Sequence, residues 1–220
     1  MRGESPRKPT PLVIVKLGGS HALGPHLRAW LAAIAAQAGA ILIVPGGGPF
    51  ADAVRAAQAP MGFDAAAAHH MALAAMAQFG RALESLHPLL STASSRAAIR
   101  RLLAQKRVPV WAPERMALAA GLPASWELTS DSLAIWLAGA IGATRLVLVK
   151  HGNFAPREDA GDLARRGIVD ALFPEYLARS LVRASLAGPR DYSRLADAPR
   201  RSALAQIVAG VDAPPKSART

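Results

Sequence analysis

Two lysines end their strands in the same way. Lys16 closes "VIVK", Lys150 closes "VLVK", and a glycine stands two residues beyond each. A lysine ammonium is a compact point charge suited to phosphate oxygens, and phosphoryl transfer is catalysed mostly by positioning and charge stabilisation. A third feature is "VPGGGPFADAVR", residues 44–55. Its glycines Gly46, Gly47 and Gly48 let backbone N–H groups approach a ligand closely, and they run into a helix predicted from Pro49 or Phe50, whose N-terminus favours anions. The plainer reading of such a run is a flexible turn, although three glycines cost considerable backbone entropy. The fourth feature is "LTSDS". Thr129 or Ser130 caps a helix there and Asp131 falls in its first turn. Alone that is an ordinary helix start. Beside two lysines it is an acid able to hold their ammonium groups apart, which suits transfer of a phosphoryl group between two anions.

These residues need a scaffold. Continuous apolar runs at 12–16, 41–45, 108–111 and 146–150, with a weaker one at 206–209, read as strands buried on both faces. Helical patterns fall at 26–38, 50–58, 64–86, 96–105, 132–141 and 174–187, the last with Pro174 in its first turn. The alternation predicts an α/β fold, a three-layer α/β/α sandwich around a mainly parallel sheet. Ligands of such sheets bind outside the carboxyl ends of the strands. Lys16-Leu-Gly-Gly, Pro45-Gly-Gly-Gly and Lys150-His-Gly each follow a strand, so all three loops are expected at one edge.

Composition narrows the partners. The formal net charge is +11, with 51% hydrophobic and 5% aromatic residues. Such a balance favours anionic partners. The basic excess is spread along the chain and few aromatics are present to stack on bases, so small phosphorylated molecules are expected rather than nucleic acid. There are no cysteines, which excludes disulfides and thiolate metal sites and fits a cytoplasmic home. No run resembles a membrane span. Residues 1–11 read as a polar, Pro-rich lead and 213–220 as a tail. His69 and His70 have no Cys, Asp or Glu at metal spacing and read as helix histidines, one of them within reach of a phosphate or acceptor group. No metal-ligand set is expected.

Together "VKLGGS", "VPGGGPFADAVR" and "LTSDSLAIWLAGAIGATRLVLVK" resemble the amino acid kinase superfamily, which includes acetylglutamate, aspartate, uridylate and isopentenyl phosphate kinases. The resemblance runs over about residues 12–150. "AHHMALAAMAQFG" and "ARRGIVDALFPEY" are similar to the branch containing the kinase of aminomethylfuran-methyl phosphate, which serves methanofuran-type C1-carrier biosynthesis. The resemblance implies an ATP- and Mg²⁺-dependent phosphotransferase, at least dimeric, turning a phosphorylated metabolite into a diphosphate. It places Lys16 on the transferring γ-phosphoryl group and Gly18, Gly19 and Ser20 on the nucleotide phosphates. It places Gly46, Gly47, Gly48 and Ser130 on the acceptor and makes Asp131 the organiser of the lysines. It also implies an acceptor-binding part over about 12–125 and a nucleotide-binding part over about 126–212.

Two departures follow. Where isopentenyl phosphate kinases carry a phosphate-contacting histidine in the triple-glycine loop, this chain has Asp52, an acid suited to an amine-bearing acceptor. Where most members have a T-D-V-D-G-V-Y type segment, this chain reads "KHGNFAPRED". Lys150 replaces the threonine, and either takes the part of the second catalytic lysine or marks a relative that has lost turnover. A kinase of a carboxylate or a nucleoside monophosphate is the other reading of the same class.

Overall fold

The computed structural model describes residues 12–197 and 209–214. Strands run at Val13–Leu17 (β1), Ile41–Pro45 (β2), Leu90–Ala93 (β3), Val108–Trp111 (β4), Arg145–Val149 (β5), Arg157–Asp159 (β6), Arg183–Ala187 (β7) and Ala209–Asp212 (β8). Helices run at Leu27–Ala35 (α1), Gly48–Met61 (α2), Ala65–Ser85 (α3), Arg96–Ala104 (α4), Glu114–Ala119 (α5), Ser130–Ile141 (α6), Ala160–Arg165 (α7), Phe173–Ala178 (α8) and Tyr192–Asp197 (α9). The strands form one sheet in the order β3-β4-β2-β1-β5-β7-β8-β6, and every described pairing is parallel except β7 with β8. Helices cover both faces, as the unbroken apolar strands require.

Side-chain alternation divides the core and aims the lysines. Ile14, Leu42, Val44, Leu146 and Leu148 point to the face that carries Leu133, Leu137 and Ala138 of α6. Val13, Val15, Leu17, Ile41, Ile43, Val147 and Val149 point to the face packed by Trp30, Leu31 and Ile34 of α1. Lys16 and Lys150 continue the even-numbered series of β1 and β5, so both leave the sheet on the α6 side. β1 lies between β2 and β5, with Lys16 opposite Val44 and Leu148. That register brings the ends of three parallel strands, and their three glycine-bearing loops, to one edge as expected.

Three expectations change. The helix expected over 174–187 ends at Ala178, and 183–187 is strand β7. The Ser180 hydroxyl donates to the Leu177 carbonyl and accepts from the Val182 N–H, which turns the chain out of α8. "RASLA" is then claimed by the open edge of β5, pairing Arg145 with Arg183 through Val149 with Ala187; a long-range ladder overrides local helix propensity. Strands β3 and β6 carry no apolar run long enough to announce them. Of the weak strand expected at 206–209, residues 206–208 lie outside the described residues, and the observed strand starts at Ala209.

Candidate active site

The centre of the site is one carboxylate between two ammonium groups. Lys16 Nζ lies 2.8 Å from Asp131 Oδ1, and Lys150 Nζ lies 2.7 Å from Asp131 Oδ2. Lys16 and Asp131 are buried, and Lys150 is the most open of the three, with 15% of its side chain exposed. The order of causes matters. Burial alone would raise the Asp131 pKa, but the charges of Lys16 and Lys150 and their hydrogen bonds hold it down at about 2. Lys150 is pushed down to about 8, by burial first and by the charge of Lys16 second, against the pull of Asp131. Asp131 also occupies the first turn of α6, where the helix dipole favours a negative charge.

Both glycine loops are built around each other. A Cβ on Gly19 would overlap the backbone of Gly48, and a Cβ on Gly46 would overlap the backbone N of Gly19. A Cβ on Gly47 would collide with the Ala51 side chain one turn into α2. Of the three consecutive glycines only Gly48 has a positive φ, at 57°. The flexible-turn reading is therefore replaced: the run is required by close packing of two loops, which brings their backbones together at the edge of the sheet. Gly18 and Gly46 are buried and Ser20 is exposed.

Beside this junction lies a cavity of about 450 Å³, walled by Ala68, His69, Leu73, Met76 and Leu133 and floored by Gly19 and Gly46–Gly48, with Ser130 on its edge. Its rim is polar. Arg55 lies 3.3 Å from Asp52 and stacks over the Trp126 ring at 4.3 Å, and Trp126 donates to Gln58 Oε1 at 2.7 Å. His69 is buried in the wall, its pKa lowered by burial and then by His70, while His70 faces outward. A second cleft, lined by Gly152, Phe154, Gly188, Arg190 and Asp191 among others, opens beyond the ends of β5 and β7. Lys150 and His151 begin the loop that leads to it.

Several contributors carry no local signal in the sequence. The His21 and His151 rings stack at 4.0 Å, and burial, His151 and Lys16 hold the His21 pKa down at about 4, so the inner imidazole is neutral at pH 7. Arg55, Trp126 and Gln58 meet only because α2 lies against the loop before α6. Asp170, in the loop before α8, bonds the start of α6. Its only sequence cue was its place in "GIVDALFPEY". Among the described residues no group of three or more His, Cys, Asp or Glu gathers as a metal site.

A bipartite cleft at the carboxyl edge of a parallel sheet, with two lysines bridged by an aspartate, is the arrangement of a phosphotransferase. The amino acid kinase family model matches residues 11–153, well over half of the chain. The chain belongs to the amino acid kinase family, and it is a kinase. It is similar to the [5-(aminomethyl)furan-3-yl]methyl phosphate kinase of Methanocaldococcus jannaschii, at 23% identity covering 84% of this chain and 91% of that one. Among solved structures, the uridylate kinase of Archaeoglobus fulgidus superposes with a TM-score of 0.66 at 18% identity, covering 91% of this chain and all of that one. UMP kinase from Bacillus anthracis gives 0.66 at 16% identity, covering 93% and 97%. These superpositions establish the shared fold.

Proposed function

We propose that the protein is an ATP-dependent kinase whose acceptor is itself a phosphate monoester, and that the acceptor is [5-(aminomethyl)furan-3-yl]methyl phosphate. The observation that carries the reading is the Lys16–Asp131–Lys150 bridge, whose Asp131 adjoins Ser130 in the lining of the 450 Å³ cavity. The cavity suits a small flat ring: its walls are alanine, leucine and methionine with the buried His69 among them, and its floor is the paired glycine loops. The acceptor phosphate rests on Gly46, Gly47 and Gly48, near the α2 N-terminus, with Ser130 beside it. The ring lies against Ala68 and Leu73, and the amine reaches the rim, where Asp52 supplies a negative charge. Curated similarity to a kinase of that compound supports the choice.

ATP enters with its nucleoside toward the cleft beyond β5 and β7, its phosphates reaching Gly18, Gly19 and Ser20, the last two at the floor of the acceptor cavity. The acceptor part is then built mainly from residues before 126 and the nucleotide part mainly from those after. An oxygen of the acceptor phosphate attacks the γ-phosphorus; the new P–O bond forms as the bond to the β,γ-bridging oxygen breaks, and ADP leaves. Lys16 and Lys150 hold charge on the transferring group, and Asp131 fixes the distance between them. This gives Lys150, from the loop after β5, the part of the second catalytic lysine. Asp131 is saturated by two lysines and is a poor metal ligand, so a Mg²⁺ ion would be held chiefly by the ATP phosphates and water and would supply further charge neutralisation there. The enzyme works on a soluble metabolite in the cytoplasm as a homo-oligomer, with no nucleic-acid partner. Among the described residues no helix is long and apolar enough to cross a membrane.

The test is ³¹P NMR of the protein with ATP, Mg²⁺ and a panel of acceptors: the furan phosphate, its alcohol, UMP, isopentenyl phosphate and N-acetylglutamate. A new diphosphate doublet with the furan phosphate alone is the expected result. A product with UMP or acetylglutamate instead transfers the site to that acceptor. No product with any of them, and no ATP binding at millimolar nucleotide, refutes the kinase chemistry and leaves a non-catalytic relative, which the absence here of the two aspartates of the T-D-V-D-G-V-Y type segment would then explain.

A further inference from the structure

The start of α6 is held from outside its own sequence. Thr129 stands at the N-cap with extended backbone, where a threonine side chain ordinarily accepts a bond from the first turn, yet it makes no such bond. Its place is taken by Asp170, 41 residues later in the chain. Asp170 Oδ2 accepts from the Thr129 N–H at 3.0 Å, from the Thr129 hydroxyl at 2.9 Å and from the Ser132 N–H at 3.0 Å. Its other oxygen accepts from the Ser132 hydroxyl. The residues bonded on either side, 129 and 132, bracket Asp131.

Such a cap is an expensive choice for mere helix stability. Burial and the neighbouring Asp131 carboxylate both raise the Asp170 pKa, and only the bonds from Ser132 and Thr129 oppose them. A serine or asparagine would satisfy one or two of these donors without placing a second acid beside Asp131. A carboxylate collects all four, in charge-assisted bonds of fixed direction. The loop carrying Asp170 is itself pinned: the Leu172 N–H donates to the Glu127 carbonyl at 3.1 Å, and Phe173 is wholly buried. The catalytic aspartate is therefore tied through its own helix start to the core beneath α8.

We propose that Asp170 is the positioning residue of the transfer site: by gripping Thr129 and Ser132 it sets the first turn of α6 so that the Asp131 carboxylate stands between Lys16 and Lys150. This rests on the kinase reading above for its catalytic consequence and on geometry alone for its structural one. The motif "GIVDALFPEY" thereby acquires a physical task.

The test uses the full chain with Asp170→Ala and Asp170→Asn. Two readouts are taken: steady-state kinetics with ATP and the acceptor, and an NMR titration of the lysine Nζ groups in ligand-free protein, tractable because the chain has five lysines. Asp170→Ala is expected to lower kcat about 100-fold, the effect of displacing a catalytic group by about an ångström, with KM for ATP changed by less than about twofold. Its Lys150 titration midpoint is expected to move by more than about half a pKa unit as the Asp131 carboxylate shifts. Asp170→Asn keeps an acceptor oxygen for the backbone donors and is expected to restore kcat to within about tenfold of native and to restore the Lys150 midpoint. A folded Asp170→Ala with native kcat and a native Lys150 midpoint overturns the proposal, whatever its melting temperature. If Asp170→Ala does not fold, the double variant Thr129→Val/Ser132→Ala, which removes both hydroxyl bonds, decides in the same way. Should the native protein turn over no acceptor, the kinase reading fails, and the Lys150 titration still decides the positioning.

Discussion

Replacing Asp131 by asparagine removes one charge and keeps the side-chain volume. In the native protein each carboxylate oxygen neutralises one lysine, at 2.8 Å and 2.7 Å. In Asp131→Asn that neutralising charge is gone. Lys150 is held at about 8 by burial and by Lys16 against the pull of Asp131, so the repulsion from Lys16 is already in that value and the variant loses only the pull. Two opposite unit charges about 4 Å apart at an effective dielectric of about 20 attract by about 4 kcal/mol. That equals about three pKa units. A further fall of that size leaves Lys150 largely uncharged at neutral pH. Losing one of two groups that stabilise a transferring phosphoryl group costs about 3–4 kcal/mol, a factor of about 10²–10³ in kcat. The assay is ADP release from pH 6 to 9.5 in a coupled system, with acceptor KM measured beside it. The expected result is that loss in kcat, a basic limb of kcat/KM displaced toward acid, and little change in acceptor KM. A variant within about fivefold of native, with its basic limb unmoved, would refute the idea that Asp131 keeps the two lysines charged and apart.

Three further outcomes follow from the same geometry. In the native enzyme kcat/KM should fall above about pH 8 as Lys150 of the free enzyme loses its proton, and Lys150→Arg should remove that limb; over the same range the unfolded chain binds the proton that the folded chain has lost, so resistance to urea should rise from pH 8 toward 10.5, and a parallel loss of both would reject the assignment. Asp131 has a dependence of the same sign at the acid end, its stabilising contribution being complete above the ordinary carboxylate value of 3.8 and lost as pH falls through about 2. Gly46→Ala drives a Cβ into the Gly19 backbone, and should cost about 1–3 kcal/mol in denaturant unfolding and raise KM for both substrates as the loops part; a native KM would show that the loops do not need their close approach. Asp52→Ala should raise KM about tenfold for an aminated acceptor and leave that of its deaminated analogue unchanged, a difference of about 1.4 kcal/mol; equal KM values for the aminated acceptor in variant and native protein would remove Asp52 from recognition.

How far the site was legible depended on range. Lys16, Lys150 and the glycines announce themselves because each follows an apolar run that can only be a buried strand. Asp131 announces itself as a first-turn acid. The 174–187 segment misled because "PEYLARSLVRASLA" satisfies a helical pattern locally, and only the vacant edge of β5 decides that its second half is a strand. Asp170 and His21 were silent for the same reason: a residue that works through a partner forty or more residues away leaves no periodicity behind.

The sequence by itself therefore determined the strands whose apolar runs end in Lys16, Pro45 and Lys150, most of the long helices between them and the expectation that their loops share one edge, since apolar runs and the 3.6-residue turn are local rules. Tertiary structure alone decided that Lys16 and Lys150 share a single carboxylate, that the triple glycine is demanded by a neighbouring loop, and that the aspartate between the lysines is steadied by another from the far end of the chain. The physical reason is burial. Charges and close backbone contacts acquire their large energies only once neighbouring elements exclude water around them, and which elements become neighbours is set by the order of the strands in the sheet.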